Sequence, residues 1–324
     1  METDALTGHK IKKVGIDDYL LPEGSTQDFD LTYQSFGLPL GKAPIVLINH
    51  PLTGNSEVIG ENGWWNAMVG NHKSIDLKKY SILAFNTPGN GFGQSDIPDC
   101  RRLTTKIVAD LYWKALDELG IATLFAVVGG SLGGSIAWEM AFLRPQAIAH
   151  LIPIACCLQS SDWLIGNVLV QEQILENSSR PIEDARRHAM LLYRTPDSLR
   201  AKFSRKTIAE NYAVESWLNY HGNLLKDRFR LMAYKNMNHL LKTVGTAIDE
   251  QKIKEFAIGS SCHIHCIAID RDYLFTQNEQ YQTYRKIKRY HSKIDYCEIR
   301  SIHGHDAFLI EFEQLHNILT PIFL

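Results

Sequence analysis

The chain has 324 residues, 45% hydrophobic and 22% charged, with a formal net charge of −2 at pH 7. That length supports one large core or a core carrying an insertion, and the near-neutral charge offers no partner surface to nucleic acid or an anionic membrane. No apolar run reaches spanning length and "METDALTGHKIKK" lacks an apolar signal core, so a cytoplasmic protein with free cysteines is expected.

Short apolar runs rich in β-branched residues recur along the chain. "APIVLIN" (43–49) ends in "HPLTG", and "YSILAFN" (80–86) ends in "TPGNGFG". The spacing predicts a helix over "TTKIVADLYWKALDELG" (104–120). "LFAVVGG" (124–130) is a third strand, followed by the helical pattern "LGGSIAWEMAFL", which "RP" stops. "AHLIPIACC" (149–157), "CHIHCIAID" (262–270) and "DYCEIRSI" (295–302) complete the strands. Continuous apolar strands alternating with helices predict an α/β protein, its mostly parallel sheet covered on both faces. Residues 159–258 read as helix nearly throughout, which predicts a helical cap inserted into a core of 1–158 and 259–324.

"SCHIHC" places Cys262, His263, His265 and Cys266 close together. On a strand, Cys262 and Cys266 share one face while His263 and His265 share the other. The four therefore do not converge on one ion, and the segment reads as a buried strand with no metal.

The stretch "AVVGGSLGGSIAWEMA" (126–141) carries four glycines at a strand-to-helix junction. A dinucleotide fingerprint needs G-x-G-x-x-G with an acidic residue about 20 positions on, and a P-loop needs a following lysine; neither fits. G-x-S-x-G fits as Gly129-Gly130-Ser131-Leu132-Gly133, a nucleophile elbow on a tight turn. Such an elbow needs an acid after a later strand and a histidine near the C-terminus. "AIDRDYLF" offers Asp270 and Asp272, and "SIHGHDAF" offers His303 and His305. The order Ser, Asp, His is that of the α/β-hydrolase fold. An oxyanion site is expected from the backbone amides of Leu52, in "HPLTGN", and Leu132, the residue after the nucleophile. His50 on the same loop is expected to stabilise that turn, and Trp64 and Trp65 read as core aromatics. The basic stretch "YRKIKRYHSK" (284–293) reads as a solvated helix face.

With these residues in place, the chain resembles the homoserine O-acetyltransferases and their serine- and succinyl-transferring relatives. The likeness runs through "HPLTGN", "GWWNAMVG", "SIDLKKYSILAFNTPGNGFGQS", "VVGGSLGG", "LLYRTPDSLRAKF", "AVESWLNYHGNLLKDRF" and "GHDAFLIEF". It implies an α/β-hydrolase core and a triad of Ser131, Asp272 and His305. It also implies acyl-CoA as co-substrate with no permanently bound cofactor, and a homodimer joined through cap helices. The implied reaction is ping-pong transfer from acyl-CoA to the hydroxyl of an amino acid or amino alcohol. An esterase or thioesterase using the same triad and a non-catalytic binding protein on this fold are the alternatives.

The likeness breaks at acceptor recognition. Relatives hold the acceptor carboxylate with an arginine four residues after an asparagine at the start of the cap. Aligning that asparagine with Asn167 places Gln171 at the arginine's position. The ammonium-binding aspartate beside the catalytic histidine is retained as Asp306. Homoserine is therefore expected to be a poor acceptor unless Arg180, Arg194 or Arg228 supplies the missing charge.

Overall fold

A computed structural model of the chain describes residues 10–93, 97 and 99–324. Its principal sheet has eight strands: β1 (Lys12–Leu20), β2 (Thr26–Gly37), β3 (Ile45–Asn49), β4 (Ser81–Phe85), β5 (Leu124–Gly130), β6 (Ile148–Ile154), β7 (His263–Ile269) and β8 (Ile294–Ile299). They lie in the order β1-β2-β4-β3-β5-β6-β7-β8. Every pairing from β4 to β8 is parallel, while β2 runs antiparallel to both its neighbours. Every residue of β3 and β4 is buried, as strands covered on both faces require.

Six of these strands match the apolar runs, but β1 and β2 were not expected. Their sequences, "KKVGIDDYL" and "TQDFDLTYQSFG", are too polar to stand out. Along β1 few residues are buried, and the inward row Phe29, Leu31 and Tyr33 of β2 is interleaved with polar residues, of which Thr32 and Gln34 are themselves buried, so no apolar run forms.

Helix α1 (Thr105–Glu118) begins where the Thr104 side chain accepts from the Ile107 amide, and α2 (Leu132–Leu143) follows β5 directly. Then come α3 (Asp162–Asn177), α4 (Pro181–Tyr193), α5 (Pro196–Phe203), α6 (Ala213–Arg228), α7 (Leu231–Thr243) and α8 (Glu250–Gly259). Within this run α4 packs on α3 and α6, and α3 on α7. The last helix differs: Phe256 of α8 stacks on Phe142 of α2, with ring centroids 4.3 Å apart, so α8 lies against a core helix. Helices α9 (Gln277–Lys288) and α10 (Phe312–Leu319) flank β8 in sequence, and α9 takes up the first half of the basic stretch. No helix among the described residues is long and apolar enough to cross a membrane.

Candidate active site

The carboxyl ends of β3, β5 and β7 meet where the predicted elbow lies. Ser131 has φ 56° and ψ −126°, a conformation that costs a side-chain-bearing residue about 1–3 kcal/mol. Its amide donates to Ile154 O at 2.8 Å, pinning the turn to β6. Glycine is obligatory at the close approaches beside it. A Cβ on Gly133 would lie 2.3 Å from Asn49 O, and one on Gly129 would lie 2.3 Å from the Gly133 carbonyl carbon. The strand and helix thus close on each other and lift the serine above the sheet.

His305 Nε2 stands 2.8 Å from Ser131 Oγ, and His305 Nδ1 stands 2.7 Å from Asp272 Oδ2. Asp272 Oδ1 accepts from the amides of Leu274 at 2.8 Å and Phe275 at 2.9 Å. All three side chains are buried, and Tyr193, Phe275 and Phe308 surround the imidazole with ring centroids 5.6–5.8 Å away. The other candidates are engaged elsewhere. Asp270 accepts from the Ser301 amide, while His303 Nδ1 faces Ser198 Oγ and the Arg194 guanidinium.

Leu52 and Leu132 are both buried; Leu132 directly follows the serine, and the loop that carries Leu52 starts at Asn49 and His50, whose backbone lies against Gly133. Leu132 opens α2, so its amide belongs to the helix's unsatisfied first turn. Among the described residues neither amide donates to a protein group. His50 holds this loop in place. Its Nε2 accepts from the Thr87 amide at 3.0 Å, so the proton sits on Nδ1 and is donated to Pro51 O at 2.8 Å.

Burial pushes His50 down to about 4, below its ordinary 6.5. The unfolded chain therefore binds a proton between pH 6.5 and 4 that the folded chain refuses, and stability falls on acidification through that window. At about 1.4 kcal/mol per unit, His50 contributes a loss of about 3 kcal/mol by pH 4. Urea midpoints measured from pH 7 to 4 should show this slope, and His50→Asn should flatten it. An unchanged slope in the variant would place the acid sensitivity elsewhere.

Trp65 is buried and stacks on Trp64, whose Nε1 donates to Asn55 O. Cys156, Cys157, Cys262, Cys266 and Cys297 are free thiols. The side chain of Cys100 lies outside the described residues.

The two expected acceptor residues, Gln171 and Asp306, are both engaged by protein groups. Gln171 is buried, and its Nε2 donates to Ala185 O at 3.1 Å and faces His188 Nδ1 at 2.9 Å. Both amide hydrogens are spent within the cap, so the group left over is the acceptor Oε1, buried without a partner. Gln171 therefore has no donor to offer a carboxylate. It borders a cavity of about 20 Å³ lined also by Leu52, Tyr193 and Tyr234, whose hydroxyl likewise lacks a partner.

Asp306 accepts from Arg194 Nε at 2.9 Å. Burial raises its carboxyl above the usual range, against the pull of Arg186 and Arg194. Of the three candidate arginines, Arg180 pairs with Glu183 and Asn223, and Arg194 is committed to Asp306. Arg228 donates to Thr53 O at 2.8 Å, on the loop that carries Leu52. Arg186, which sequence reasoning missed, places its guanidinium 5.5 Å from the ring centre of Tyr193, the ring beside His305. Burial and the neighbouring Arg186 both lower Arg228. Arg186, Arg194 and Arg228 outnumber the two carboxylates beside His305, Asp272 and Asp306.

A family model described as alpha/beta hydrolase fold matches residues 44–229. The homoserine O-acetyltransferase of Cyclobacterium marinum is 30% identical, the match covering 93% of this chain and 91% of that one. The crystal structure of homoserine O-acetyltransferase from Bacillus anthracis has a TM-score of 0.86 at 17% identity, covering 98% of each chain. Esterase E22 has a TM-score of 0.83 at 14% identity, covering 97% of this chain and all of that one, so the fold is shared with hydrolases. The chain belongs to the homoserine O-acetyltransferase family, acyltransferases built on the α/β-hydrolase fold.

Proposed function

We propose that this enzyme moves an acyl group from acyl-CoA to the hydroxyl of a carboxylate-bearing amino acid through an acyl-enzyme on Ser131. Ser131 Oγ attacks the thioester carbonyl while His305 Nε2 takes its proton. Asp272 holds the imidazole and stabilises the imidazolium, and the amides of Leu52 and Leu132 receive the oxyanion. His305 then protonates the departing CoA thiolate. In the second half-reaction it takes the acceptor hydroxyl's proton as that oxygen attacks the acyl-enzyme, and returns it to Ser131 Oγ as the ester bond to the serine breaks. The enzyme needs no resident cofactor for these steps.

The observation that carries transfer over hydrolysis is the charge around His305. Hydrolysis needs only water beside the acyl-enzyme, whereas Asp306 with Arg186, Arg194 and Arg228 makes a surround suited to a zwitterion. Arg186 and Arg228 take the acceptor carboxylate, and Gln171 Oε1 with Asp306 faces its ammonium or hydroxyl. The cation thus comes from α4 and α6 instead of α3. This turns the acceptor relative to Ser131 and supports L-homoserine being a poor substrate. Exposed Leu169, Leu191, Tyr220 and Leu224 on α3, α4 and α6 support pairing of two copies through the cap.

Acyl-CoA consumption with and without hydroxy amino acids tests the reading. Acceptor-dependent CoA release with the product mass of an O-acyl amino acid is expected. Equal rates without acceptor would make the enzyme a hydrolase, and no turnover would make it a binding protein. Efficient acetyl transfer to L-homoserine, at a kcat/KM of about 10⁴ M⁻¹s⁻¹ or better, would overturn the acceptor argument. Arg186→Met should raise the acceptor KM about 10- to 100-fold, the worth of a charge-assisted hydrogen bond. The burst of CoA from the first half-reaction should be unchanged. An unaltered acceptor KM would remove Arg186 from recognition.

A further inference from the structure

The sheet carries a second cluster of chemistry at the end remote from Ser131. The alternation that separates Cys262 and Cys266 from His263 and His265 also puts the two histidines side by side on one face of β7. Strand pairing then adds to them from both neighbours: His263 lies opposite His150 of β6, and His265 lies opposite Asp295 of β8. The three imidazoles offer ligand nitrogens that all lie within 4.8 Å of one another. Their rings are nearly parallel, with centroids 4.2 Å apart for His263 and His265 and 5.4 Å for His150 and His265.

We infer that His150, His263 and His265 form a binding site for a zinc-class divalent ion. His150 Nδ1 and His265 Nε2 stand 3.1 Å apart. Two nitrogens bound to one tetrahedral zinc at about 2.0–2.1 Å lie about 3.3 Å apart, so little movement is needed to admit the ion between them. His263 Nε2 is held by Asp295 Oδ2 at 2.6 Å, which leaves His263 Nδ1 as its coordinating atom. The same carboxylate oxygen lies 3.8 Å from His265 Nδ1, on the side of that ring away from His150. Asp295 therefore orients His263 by a hydrogen bond, the arrangement in which a carboxylate fixes tautomer and ring direction at a metal, and lies near His265 without bonding it. His263 is 40% exposed along its side chain, so an ion can enter and a water can fill a fourth position. Three imidazoles select zinc or copper over magnesium or calcium, which prefer oxygen.

The placement argues against a part in acyl transfer. His263 is the first residue of β7, whereas Asp272 follows that strand's carboxyl end. Six steps of strand at about 3.3 Å each put about 20 Å between His263 and the end of β7 that leads to Asp272. An ion here would clamp β6, β7 and β8 together and raise their resistance to unfolding.

The test is zinc titration of the chelator-stripped full chain by calorimetry, with melting followed in parallel. One saturable equivalent and a zinc-dependent rise in Tm are expected. His265→Gln should abolish both while leaving the circular dichroism spectrum and the acyl-transfer rate intact, and Asp295→Asn should weaken binding about 10- to 100-fold. Copper(II) substituted into the unmutated chain should show nitrogen hyperfine structure in its electron paramagnetic resonance spectrum, a readout that needs no variant. The inference fails if the unmutated chain shows no saturable binding, if His265→Gln binds as tightly, or if the copper spectrum shows oxygen ligands alone.

Discussion

Ser131→Ala leaves a folded chain that neither releases CoA from an acyl-CoA nor reacts with a serine-directed phosphonate. Turnover should fall by about a millionfold, the scale seen when a triad nucleophile is removed. The fold should survive because the elbow does not depend on the hydroxyl. The turn is held by the Ser131 amide on Ile154 O and by glycines that admit the loop after β3. Alanine keeps the same backbone at the same strain and removes only Oγ. The mass of the labelled protein decides the matter. Ser135 is the one other serine in the same turn region, and it is fully buried with its hydroxyl on Cys157 O at 3.3 Å. A variant that still takes up one phosphonate would move the nucleophile away from Ser131.

The elbow was readable because its cause is local. Strand, glycines and helix follow one another within a dozen residues; Gly129 and Gly133 answer contacts made by the turn itself and by the end of β3, while Gly130 and Gly134 make room for Phe308 and Cys156. The buried parallel strands were readable for a similar reason, since burial on both faces writes an unbroken apolar run. Strands β1 and β2 were not, because polar residues interrupt their inward rows. What the sequence hid most deeply were partnerships across the fold. Gln171 stands where relatives carry an arginine, and only the approach of Ala185 O and His188 Nδ1 from α4 reveals that its hydrogens are spent. Arg186 looks like one of several cap arginines until α4 lays it on Tyr193. The histidines of "SCHIHC" were separated correctly from the cysteines. Their third partner, His150, lies over a hundred positions upstream and is supplied by strand register alone. Local periodicity says which way a side chain points, but not what meets it there.

Asp272→Asn tests whether the acid serves by charge and tautomer or by packing alone. The replacement has the same shape, and its orientation is dictated by the chain. The amides of Leu274 and Phe275 both donate to Oδ1, so the asparagine oxygen must face them. Turning the amide the other way would set its NH₂ against two N–H donors, at the cost of leaving buried polar groups unpaired. The NH₂ therefore points at His305 Nδ1, which must give up its proton and become an acceptor. The imidazole proton moves to Nε2, where it faces Ser131 Oγ 2.8 Å away and cannot receive the serine's proton. Geometry is kept while the base is lost, and turnover should fall by about 10⁴-fold, as it does when this change is made in a serine protease. Asp272→Ala frees Nδ1 from a wrong partner and lets water restore the productive tautomer in part, so it should be no more damaging than the isosteric change. Measuring kcat for both variants with one acyl-CoA and one acceptor gives the answer. If Asp272→Asn kept more than about a tenth of the unmutated turnover, a loss under 1.4 kcal/mol, the carboxylate would be packing for the loop after β7 and His305 would draw its tautomer from elsewhere.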